Sequence, residues 1–358
     1  MEGKVLVGGN EAIGWGALAA GCLHYFGYPI TPQNEVVEFF ARELPPRGGC
    51  FVQSEAESSS IALLYGGAST GVRAMTSTAS PGWSLMQEGI SCMANAELPC
   101  VIVDVQRGGP GQGTVTHSQM DYLSATRGGG HGGYKSIVLA PSSVQECHDL
   151  VQLAFYLADR YRNPVIVLSD GVLGRTMESL DRRTLEFGPL PPKDWAVRGS
   201  AQNGGARSVV VCAQGTADFP PYGVVLERLG NKWQAMAEEA RFEAYRADDA
   251  ELLLVAFGYV ARSCKEAVNM ARAEGLKVGL LRPVTLWPFP CGEVGARARG
   301  GARFLVVEDN LGQMVDDVRL GAEGQAPVHF LGALARHVNT SLGMLMPERV
   351  LEEVKRLL

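Results

Sequence analysis

The sequence predicts an α/β protein built on parallel sheets, and three observations support this. Short strand-like runs of small and apolar residues, such as Arg73–Thr78 and Cys100–Val105, alternate with longer segments of helical composition. Strands that are apolar on both faces are typical of parallel sheets covered by helices on both sides. The alternation breaks in a stretch rich in proline and glycine and then returns. We therefore predict two α/β units, at 1–185 and 250–358, with an irregular connecting segment at 186–249.

The individual elements follow from the same pattern. In the first unit the other strand candidates are Lys4–Val7, Ile137–Ala140 and Val165–Leu168, and the helix candidates are Gly14–Phe26, Glu35–Glu43, Ser58–Ala68, Ser84–Ala96 and Val144–Tyr161. In the last unit the strand candidates are Leu252–Phe257, Val278–Leu281 and Phe304–Val307, and the helix candidates are Ser263–Glu274 and Pro347–Leu358. Open α/β sheets bind ligands at the carboxyl ends of their strands, so residues that follow strands are the first candidates for a site.

Composition narrows the classes of function. The chain has 358 residues and a formal net charge of −6 with no basic stripe, so we expect no nucleic-acid partner. No stretch approaches about 18 uninterrupted apolar residues, which predicts no membrane span. The first residues lack the basic and apolar regions of a signal peptide, so we expect a cytoplasmic location.

The eight cysteines are scattered, and no two form a C-x-x-C pair. Iron–sulfur and zinc sites usually draw on close pairs of thiolates, so we expect no metal site on this chain and reduced, mostly buried cysteines. No G-x-G-x-x-G run follows a strand and opens a helix, as the dinucleotide fingerprint requires, and the P-loop and the Gly-Asp-Gly segment that holds magnesium and a diphosphate are absent. A diphosphate cofactor or an electron path would therefore require another chain.

Tyr28–Pro32 is a rigid segment with one conspicuous hydroxyl. Pro29 and Pro32 fix their own φ angles and favour extended geometry at the residues before them, which places Thr31 close to the start of the next helix. Two interpretations stay open at this point: Thr31 caps that helix, or it contacts a substrate at a strand end.

Two glutamates precede a helix made almost entirely of small and apolar residues. Glu55 and Glu57 lie near its first turn, where the helix dipole stabilises a carboxylate. The functional interpretation is that one of them, in an apolar crevice, shares a proton with a ring nitrogen of a cofactor. The aminopyrimidine ring of thiamine diphosphate requires such a partner.

Two strand ends supply further candidates. Met75–Met86 ends a strand in small hydroxyl residues, turns at Pro-Gly and opens a helix, which allows a planar ring to approach the backbone. Arg107 follows the strand Cys100–Val105 and precedes a glycine-rich stretch, so it is either an ordinary surface charge or a group that binds a carboxylate with two parallel bonds. His117 and the glycine-flanked His131 are accessory acid–base candidates or simply face solvent.

Taken together, these motifs resemble the alpha subunit of 2-oxoacid:ferredoxin oxidoreductases. They occur in the order Tyr28-Pro-Ile-Thr-Pro, Gln53-Ser-Glu-x-Glu, Met75-Thr-x-Thr-x-Ser-x-Gly-x-Ser-Leu-Met and Arg107-Gly-Gly-Pro-Gly. The resemblance continues into Phe257-Gly258 and 281–290 of the last unit. It implies a thiamine-diphosphate-type pyrimidine-binding domain on a parallel sheet, followed by a smaller α/β domain like the C-terminal domain of transketolase.

The resemblance also implies roles for individual residues. Glu57 is the expected catalytic carboxyl that contacts the pyrimidine ring, with Glu55 as the alternative. Thr31 and Arg107 are the residues expected to hold the substrate carboxylate. The remaining expected cofactor contacts are Thr78, Ser80 and Gly82.

Partners and substrate follow from the same resemblance. It implies thiamine diphosphate shared with a beta subunit that carries the diphosphate and Mg²⁺, and [4Fe-4S] clusters on partners such as a gamma or ferredoxin-like delta subunit, with coenzyme A and ferredoxin as further reactants. Gly109–Gly113 stands where 2-oxoglutarate enzymes have Gly-Pro-Ser-Thr-Gly, which favours a branched-chain substrate of the 2-oxoisovalerate type. A 2-oxoglutarate or aryl-2-oxoacid substrate, or a non-catalytic assembly role, are the alternatives.

Overall fold

Strands and helices alternate through most of the chain. The computed structural model describes residues 4–199, 221–332 and 344–358. Its strands are β1 Lys4–Gly8, β2 His24–Gly27, β3 Cys50–Gln53, β4 Ala74–Thr78, β5 Cys100–Gln106, β6 Ile137–Leu139, β7 Pro164–Asp170, β8 Met177–Asp181, β9 Phe242–Tyr245, β10 Leu252–Val255, β11 Val278–Pro283, β12 Thr285–Trp287, β13 Arg303–Glu308 and β14 Val328–Gly332. Its α-helices are α1 Gly9–Ala19, α2 Asn34–Glu43, α3 Glu57–Ser69, α4 Ser80–Asn95, α5 Tyr122–Arg127, α6 Val144–Tyr161, α7 Gly171–Arg175, α8 Tyr222–Met236, α9 Gly258–Ala273, α10 Cys291–Arg299, α11 Met314–Ala322 and α12 Pro347–Leu357.

The larger sheet carries the strand order β12-β6-β7-β5-β4-β2-β3. Strands β2 to β7 run parallel, and β12 joins the edge antiparallel to β6. Every residue of the two central strands β5 and β7 is buried, as expected for strands covered by helices on both faces. The predicted α/β class with a parallel sheet is confirmed, and the carboxyl ends of the parallel strands share one edge.

The second sheet carries the order β14-β13-β10-β11-β9 and belongs to the C-terminal part of the chain. Four of these strands are parallel, and β9 pairs antiparallel with β11. Helices α9 and α12 bury one face of this sheet in a core that includes Leu254, Val268 and Val350. Because β12 lies between strands of the second sheet in sequence but joins the first sheet, the two units are tied together. The division at 1–185, 186–249 and 250–358 is kept as a proposal, and 200–220 lies outside the described residues.

In the first unit, one predicted helix is wrong and one strand was not predicted. The predicted helix Gly14–Phe26 is instead helix α1, which ends at Ala19, followed by strand β2 from His24. Gly21 has a positive φ of 73° and allows the turn between them. The sequence misled because Cys22–Phe26 continues the apolar composition of the helix without a break. Strand β3 also went unpredicted, since its four residues are too short to show a clear period.

The predicted strand at Lys4–Val7 exists but lies outside the parallel sheet. As β1 it pairs antiparallel with β8 in a separate two-stranded sheet. Helix α6 begins as its sequence indicates, because the Ser143 side chain accepts a hydrogen bond from the Glu146 backbone N–H. In the described parts of the chain, we find no helix that is both long and apolar enough to span a membrane.

Helix α1 packs closely against α6 at a glycine. A Cβ on Gly16 would lie 2.3 Å from the carbonyl oxygen of His148, which is backbone and cannot move aside cheaply. A Cβ on the helical Gly66 would meet nothing within 4 Å.

We expect Gly16→Ala to destabilise the protein by about 1–3 kcal/mol, since overpacking forces the two helices apart. The matched control Gly66→Ala should be neutral or stabilising by up to about 1 kcal/mol, because alanine is the better helix former. Urea unfolding of the purified protein measures both. Equal stability of the two variants would contradict this account of the helix contact.

Candidate functional site

The residues predicted from sequence gather at the carboxyl edge of the larger sheet. Glu57 opens α3 after β3, Thr31 lies on the loop after β2, and Arg107 follows β5. The junction between β4 and α4 contributes Thr78, Ser80 and Gly82. Parallel strands end at one edge, so four separate sequence motifs are brought to one place.

Glu57 lies in an enclosed position beside Gly82. Its residue is 6% exposed. A Cβ on Gly82 would lie 2.5 Å from Glu57 Oε1 and 2.2 Å from Thr78 Oγ1. The carboxyl therefore occupies space that any other residue at position 82 would fill.

Glu55 lies in a very different environment. It is exposed, and its carboxylate accepts a hydrogen bond of 2.7 Å from Ser59 Oγ. That hydrogen bond lowers the pKa of Glu55 below its ordinary value. Of the two glutamates, Glu57 is the one enclosed at the strand-end edge.

Arg107 is a buried cation held by carbonyl groups. Its residue is 8% exposed. Nη1 donates to Thr31 O and Nη2 to Gln112 O, each at 3.0 Å. Its Nε is buried and has no hydrogen-bond partner among the described residues. A buried charge is costly unless an opposite charge approaches, so this guanidinium is suited to bind a carboxylate.

Thr31 does not cap the helix that follows it. The N-cap of α2 is Gln33, two residues further along, and the Thr31 hydroxyl is 3.4 Å from Asn34 Nδ2. The capping interpretation is therefore wrong. Instead, the carbonyl oxygen of Thr31 accepts a hydrogen bond from Arg107.

Ser80 links the β4–α4 junction to the Arg107 backbone. Its Oγ accepts a hydrogen bond of 3.0 Å from Arg107 N and donates to the carboxylate of Asp121. The hydroxyl is thus already engaged within the protein. Ser80 fixes the positions of other residues at the edge in addition to lying near Gly82.

Sequence reasoning missed a pair of acids beneath the site. Asp104 is fully buried in β5, and burial together with the neighbouring Asp121 carboxylate raises its pKa well above its ordinary value. Neither Asp104 oxygen has a hydrogen-bond partner among the described residues, so no described donor offsets the cost of a charge there. Burial also raises the pKa of Asp121 to about 6. An aspartate inside an otherwise apolar strand was the available signal.

The two histidine candidates lie in different places. His117 Nδ1 is 2.6 Å from Asp309 Oδ2, on the C-terminal unit. His131 is exposed and lies 3.4 Å from Glu88, which is itself exposed and two turns along α4 from its start. The structure therefore brings His117 near the Arg107 loop and leaves His131 apart from the strand-end residues.

An open pocket of about 340 Å³ adjoins the site. It is lined by the loop after β5 and by α7, at Val115, Thr116, His117, Gly171, Val172, Arg175 and Thr176. A Cβ on Gly171 would lie 3.2 Å from the ring of Pro32. The pocket therefore borders the segment that carries Thr31.

Metal-binding groups are sparse in the parts of the chain that the structure describes. There, no three His, Cys, Asp or Glu side chains are grouped so that they could hold a metal ion. None of the seven cysteines in those parts forms a disulfide, and Cys212 lies outside them.

The buried acid pair predicts a pH dependence of stability. Because both pKa values are raised on folding, the stability that the pair contributes is complete below about pH 4 and is lost as the pH rises through the folded-state values. Asp104→Asn removes that loss, so the variant should gain stability relative to the wild type between about pH 5 and 8. Thermal unfolding across this range measures the difference. The control is Asp316→Asn, at a side chain that is 61% exposed; its unfolding temperature should differ from that of the wild type by the same amount at each pH. A difference that is equally independent of pH for Asp104→Asn would contradict the prediction.

Two family models match the chain. Residues 15–243 match the model described as pyruvate flavodoxin/ferredoxin oxidoreductase, thiamine-diphosphate-binding, and residues 250–341 match pyruvate:ferredoxin oxidoreductase core domain II. Among solved structures, a 2-oxoglutarate:ferredoxin oxidoreductase from Magnetococcus marinus, with 2-oxoglutarate, coenzyme A and succinyl-CoA bound, superimposes with a TM-score of 0.87 at 28% identity, covering 99% of this chain and 65% of that one. A split gene transketolase, at 15% identity and a TM-score of 0.61, shares the fold.

Curated relatives agree with these matches. The ketoisovalerate oxidoreductase subunit VorB of Methanothermobacter marburgensis is 48% identical over 320 residues, which is 88% of this chain and 89% of the relative. The 2-oxoglutarate synthase subunit KorA of Methanothermobacter thermautotrophicus is 36% identical over the full length of both chains. The chain therefore belongs to the 2-oxoacid:ferredoxin oxidoreductase family, and its first domain is of the thiamine-diphosphate-binding type.

Proposed function

We propose that this chain is the alpha subunit of a thiamine-diphosphate-dependent 2-oxoacid:ferredoxin oxidoreductase. The reaction is the oxidative decarboxylation of a 2-oxoacid with coenzyme A, giving acyl-CoA, carbon dioxide and reduced ferredoxin. The observation that carries the proposal is the meeting of the enclosed Glu57 and the carbonyl-held Arg107 at one sheet edge. The family membership supports it.

The residues beside Glu57 fit the pyrimidine end of the cofactor. The absent Cβ of Gly82 leaves the Glu57 carboxyl and the Thr78 hydroxyl in contact with the start of α4. In this proposal Glu57 shares a proton with a pyrimidine nitrogen, while Thr78 and Gly82 line the ring. When bound, thiamine diphosphate supplies the carbon nucleophile that attacks the 2-keto group. An enclosed carboxyl strengthens this contact because little water competes for it.

Arg107 and Thr31 are proposed to hold the substrate carboxylate. Two carbonyl oxygens fix the guanidinium plane, and its buried Nε–H is left without a partner among the described residues. A carboxylate that paired with it would neutralise the charge and satisfy that donor. The pocket beside Pro32 then lies next to the bound acid.

The cofactor and the electron path are proposed to be divided among subunits. The Gly-Asp-Gly motif is absent from the sequence, so a beta subunit would supply Mg²⁺ and the diphosphate contacts, and gamma or ferredoxin-like delta subunits the [4Fe-4S] clusters. Leu63 on α3 and Leu85 on α4 are 39% and 58% exposed, on the two helices that begin at the site. They offer an apolar surface where such a partner could complete the site. We place the complex in the cytoplasm, in keeping with the absence of disulfides among the described residues.

A branched-chain 2-oxoacid of the 2-oxoisovalerate type is the favoured substrate. Gly109–Gly113 lacks the two hydroxyl side chains found in the 2-oxoglutarate branch, which suits an apolar tail. Identity is also higher to the ketoisovalerate oxidoreductase subunit, at 48%, than to the 2-oxoglutarate synthase subunit, at 36%. A 2-oxoglutarate or aryl-2-oxoacid enzyme, or a non-catalytic assembly subunit, is the alternative.

Glu57→Gln should lower turnover by at least about 100-fold, because the amide cannot share a proton with the ring. The matched control Glu55→Gln, two residues away and exposed, should stay within about twofold of the wild type. The assay is 2-oxoacid-dependent viologen reduction by the co-purified complex, with assembly checked by gel filtration. Full turnover of an assembled Glu57→Gln complex would leave Glu55 or a scaffold role as the explanation.

The isolated chain should show no 2-oxoacid-dependent viologen reduction, whereas the complex with its beta partner should. In the complex, kcat/KM for 2-oxoisovalerate should exceed that for 2-oxoglutarate by at least about tenfold, since a buried polar group without a partner costs at least that much. A substrate panel measures this ratio. Activity of the isolated chain would refute the divided site, and a reversed ratio would establish the 2-oxoglutarate alternative.

A further inference from the structure

The loop that follows Arg107 is a closed unit. Gly108 N donates to Thr116 O at 3.0 Å, which joins the two ends of the loop. Gly113 has a φ of 54°, and a Cβ there would lie 1.5 Å from Gly108 O, so the turn can close only with glycine. Gln112 within this loop supplies the carbonyl that binds Arg107 Nη2. Where the loop sits therefore affects where the guanidinium sits.

The far end of this loop is fixed to the C-terminal unit. His117 Nδ1 lies 2.6 Å from Asp309 Oδ2, directly after β13, and Tyr259 at the start of α9 donates to the same oxygen at 2.7 Å. The backbone continues the contact, because Gln119 N donates to Asp309 O at 2.9 Å and Asn310 Nδ2 donates to Gln119 O at 2.8 Å. The second domain thus holds the loop that in turn holds Arg107.

The His117–Asp309 pair is charge-assisted and enclosed. Their side chains are 9% and 6% exposed. The hydrogen bond from His117 to Asp309 raises the pKa of His117 above its ordinary value, burial opposes this, and Asp170 at the end of β7 adds to the rise. The other ionisable groups nearby are Tyr259 and Arg175, which lines the same pocket. The stabilisation that comes from the charged pair is complete below about pH 6.5 and is lost as the pH rises through the raised pKa of His117.

We propose that Asp309 and His117 are positioning residues that set the Arg107 loop for the substrate carboxylate. The inference rests on the proposed function. It assigns the C-terminal domain a part in substrate binding, although that domain contributes none of the residues at the strand-end edge named above. The contacts form a short chain. Asp309 binds His117, which directly follows the closed loop. Within that loop, Gln112 accepts a hydrogen bond from Arg107.

The test is Asp309→Asn in the assembled complex. KM for the 2-oxoacid should rise about fivefold or more while kcat changes less than about twofold, because the loss falls on substrate binding. In the wild type, KM should rise as the pH passes through the pKa of His117. In the variant, that inflection should move to lower pH.

The matched control is Arg127→Gln. Arg127 on α5 pairs with Asp317 on α11 at 2.5 Å, so it joins the same two units without touching the loop. Its KM and pH profile should equal those of the wild type. Tyr259→Phe removes one hydrogen bond to Asp309 and should raise KM in the same direction by a smaller factor, which provides a test even if Asp309→Asn fails to fold.

A readout independent of turnover is the NMR titration of histidine-labelled complex, with His117 assigned among the six histidines through His117→Gln. Asp309→Asn should lower the pKa of His117. An unshifted pKa, an unchanged KM, or a KM rise equal to that of Arg127→Gln would each overturn the inference. A wild-type complex with no 2-oxoacid activity would instead overturn the proposed function and the substrate part of this inference with it.

Discussion

The guanidinium of Arg107 is the group on which the arrangement of the candidate site depends. It is a cation with little exposure, and its described partners are two neutral carbonyls rather than carboxylates. Burial of a charge without an opposite charge costs several kcal/mol in order of magnitude, so the fold tolerates it only with strong local support. That support comes from the loops after β2 and β5, from Ser80 on the Arg107 backbone, and from the C-terminal unit through His117. A ligand carboxylate would turn this unfavourable state into a favourable pair.

The same constraint explains why the two units are closely joined. Residues 117–119 leave the site and dock on the C-terminal unit through hydrogen bonds to Asp309 and Asn310. A separate contact, from Tyr122 and Arg127 to Asp317, also joins the two units but does not hold the loop. Strand β12 returns from the C-terminal part to the edge of the first sheet. A loop of small residues has little packing of its own and would otherwise be free to move. Its attachment at both ends gives it one position.

Two glycines within helices make room for neighbouring elements. Gly82 leaves room for Glu57, and Gly16 allows α1 to approach α6, which lies across the same sheet. In both places an atom from another element occupies the space that a Cβ would take. The glycines of this chain therefore contribute packing as well as turns. Asp104, buried inside the sheet, and the neighbouring Asp121 at the start of α5 show the opposite case, in which acidic groups with raised pKa values are retained at a cost to stability near neutral pH.

The sequence by itself determined the α/β class, the positions of most strands in the first unit and the order of the four motifs. These features could be predicted because apolar runs and the proline and glycine residues of turns are local signals. The sequence misplaced α1 and β2, where one apolar stretch spans both elements, and it missed β3, which is too short to show a period. Local pattern alone did not separate Glu55 from Glu57, and only the family resemblance favoured Glu57, since two residues at one helix start differ mainly in what packs against them.

Only the tertiary structure shows how their surroundings differ, because it places Gly82 and Thr78 against Glu57 and leaves Glu55 exposed. It also rejected Thr31 as a cap and revealed the contact of His117 with Asp309, across 192 positions of the chain. Contacts of this kind depend on which strand ends meet at one edge, and no local pattern carries that information. The residue types of each motif could therefore be read along the chain, while the partners of each side chain were decided by the packing of two sheets.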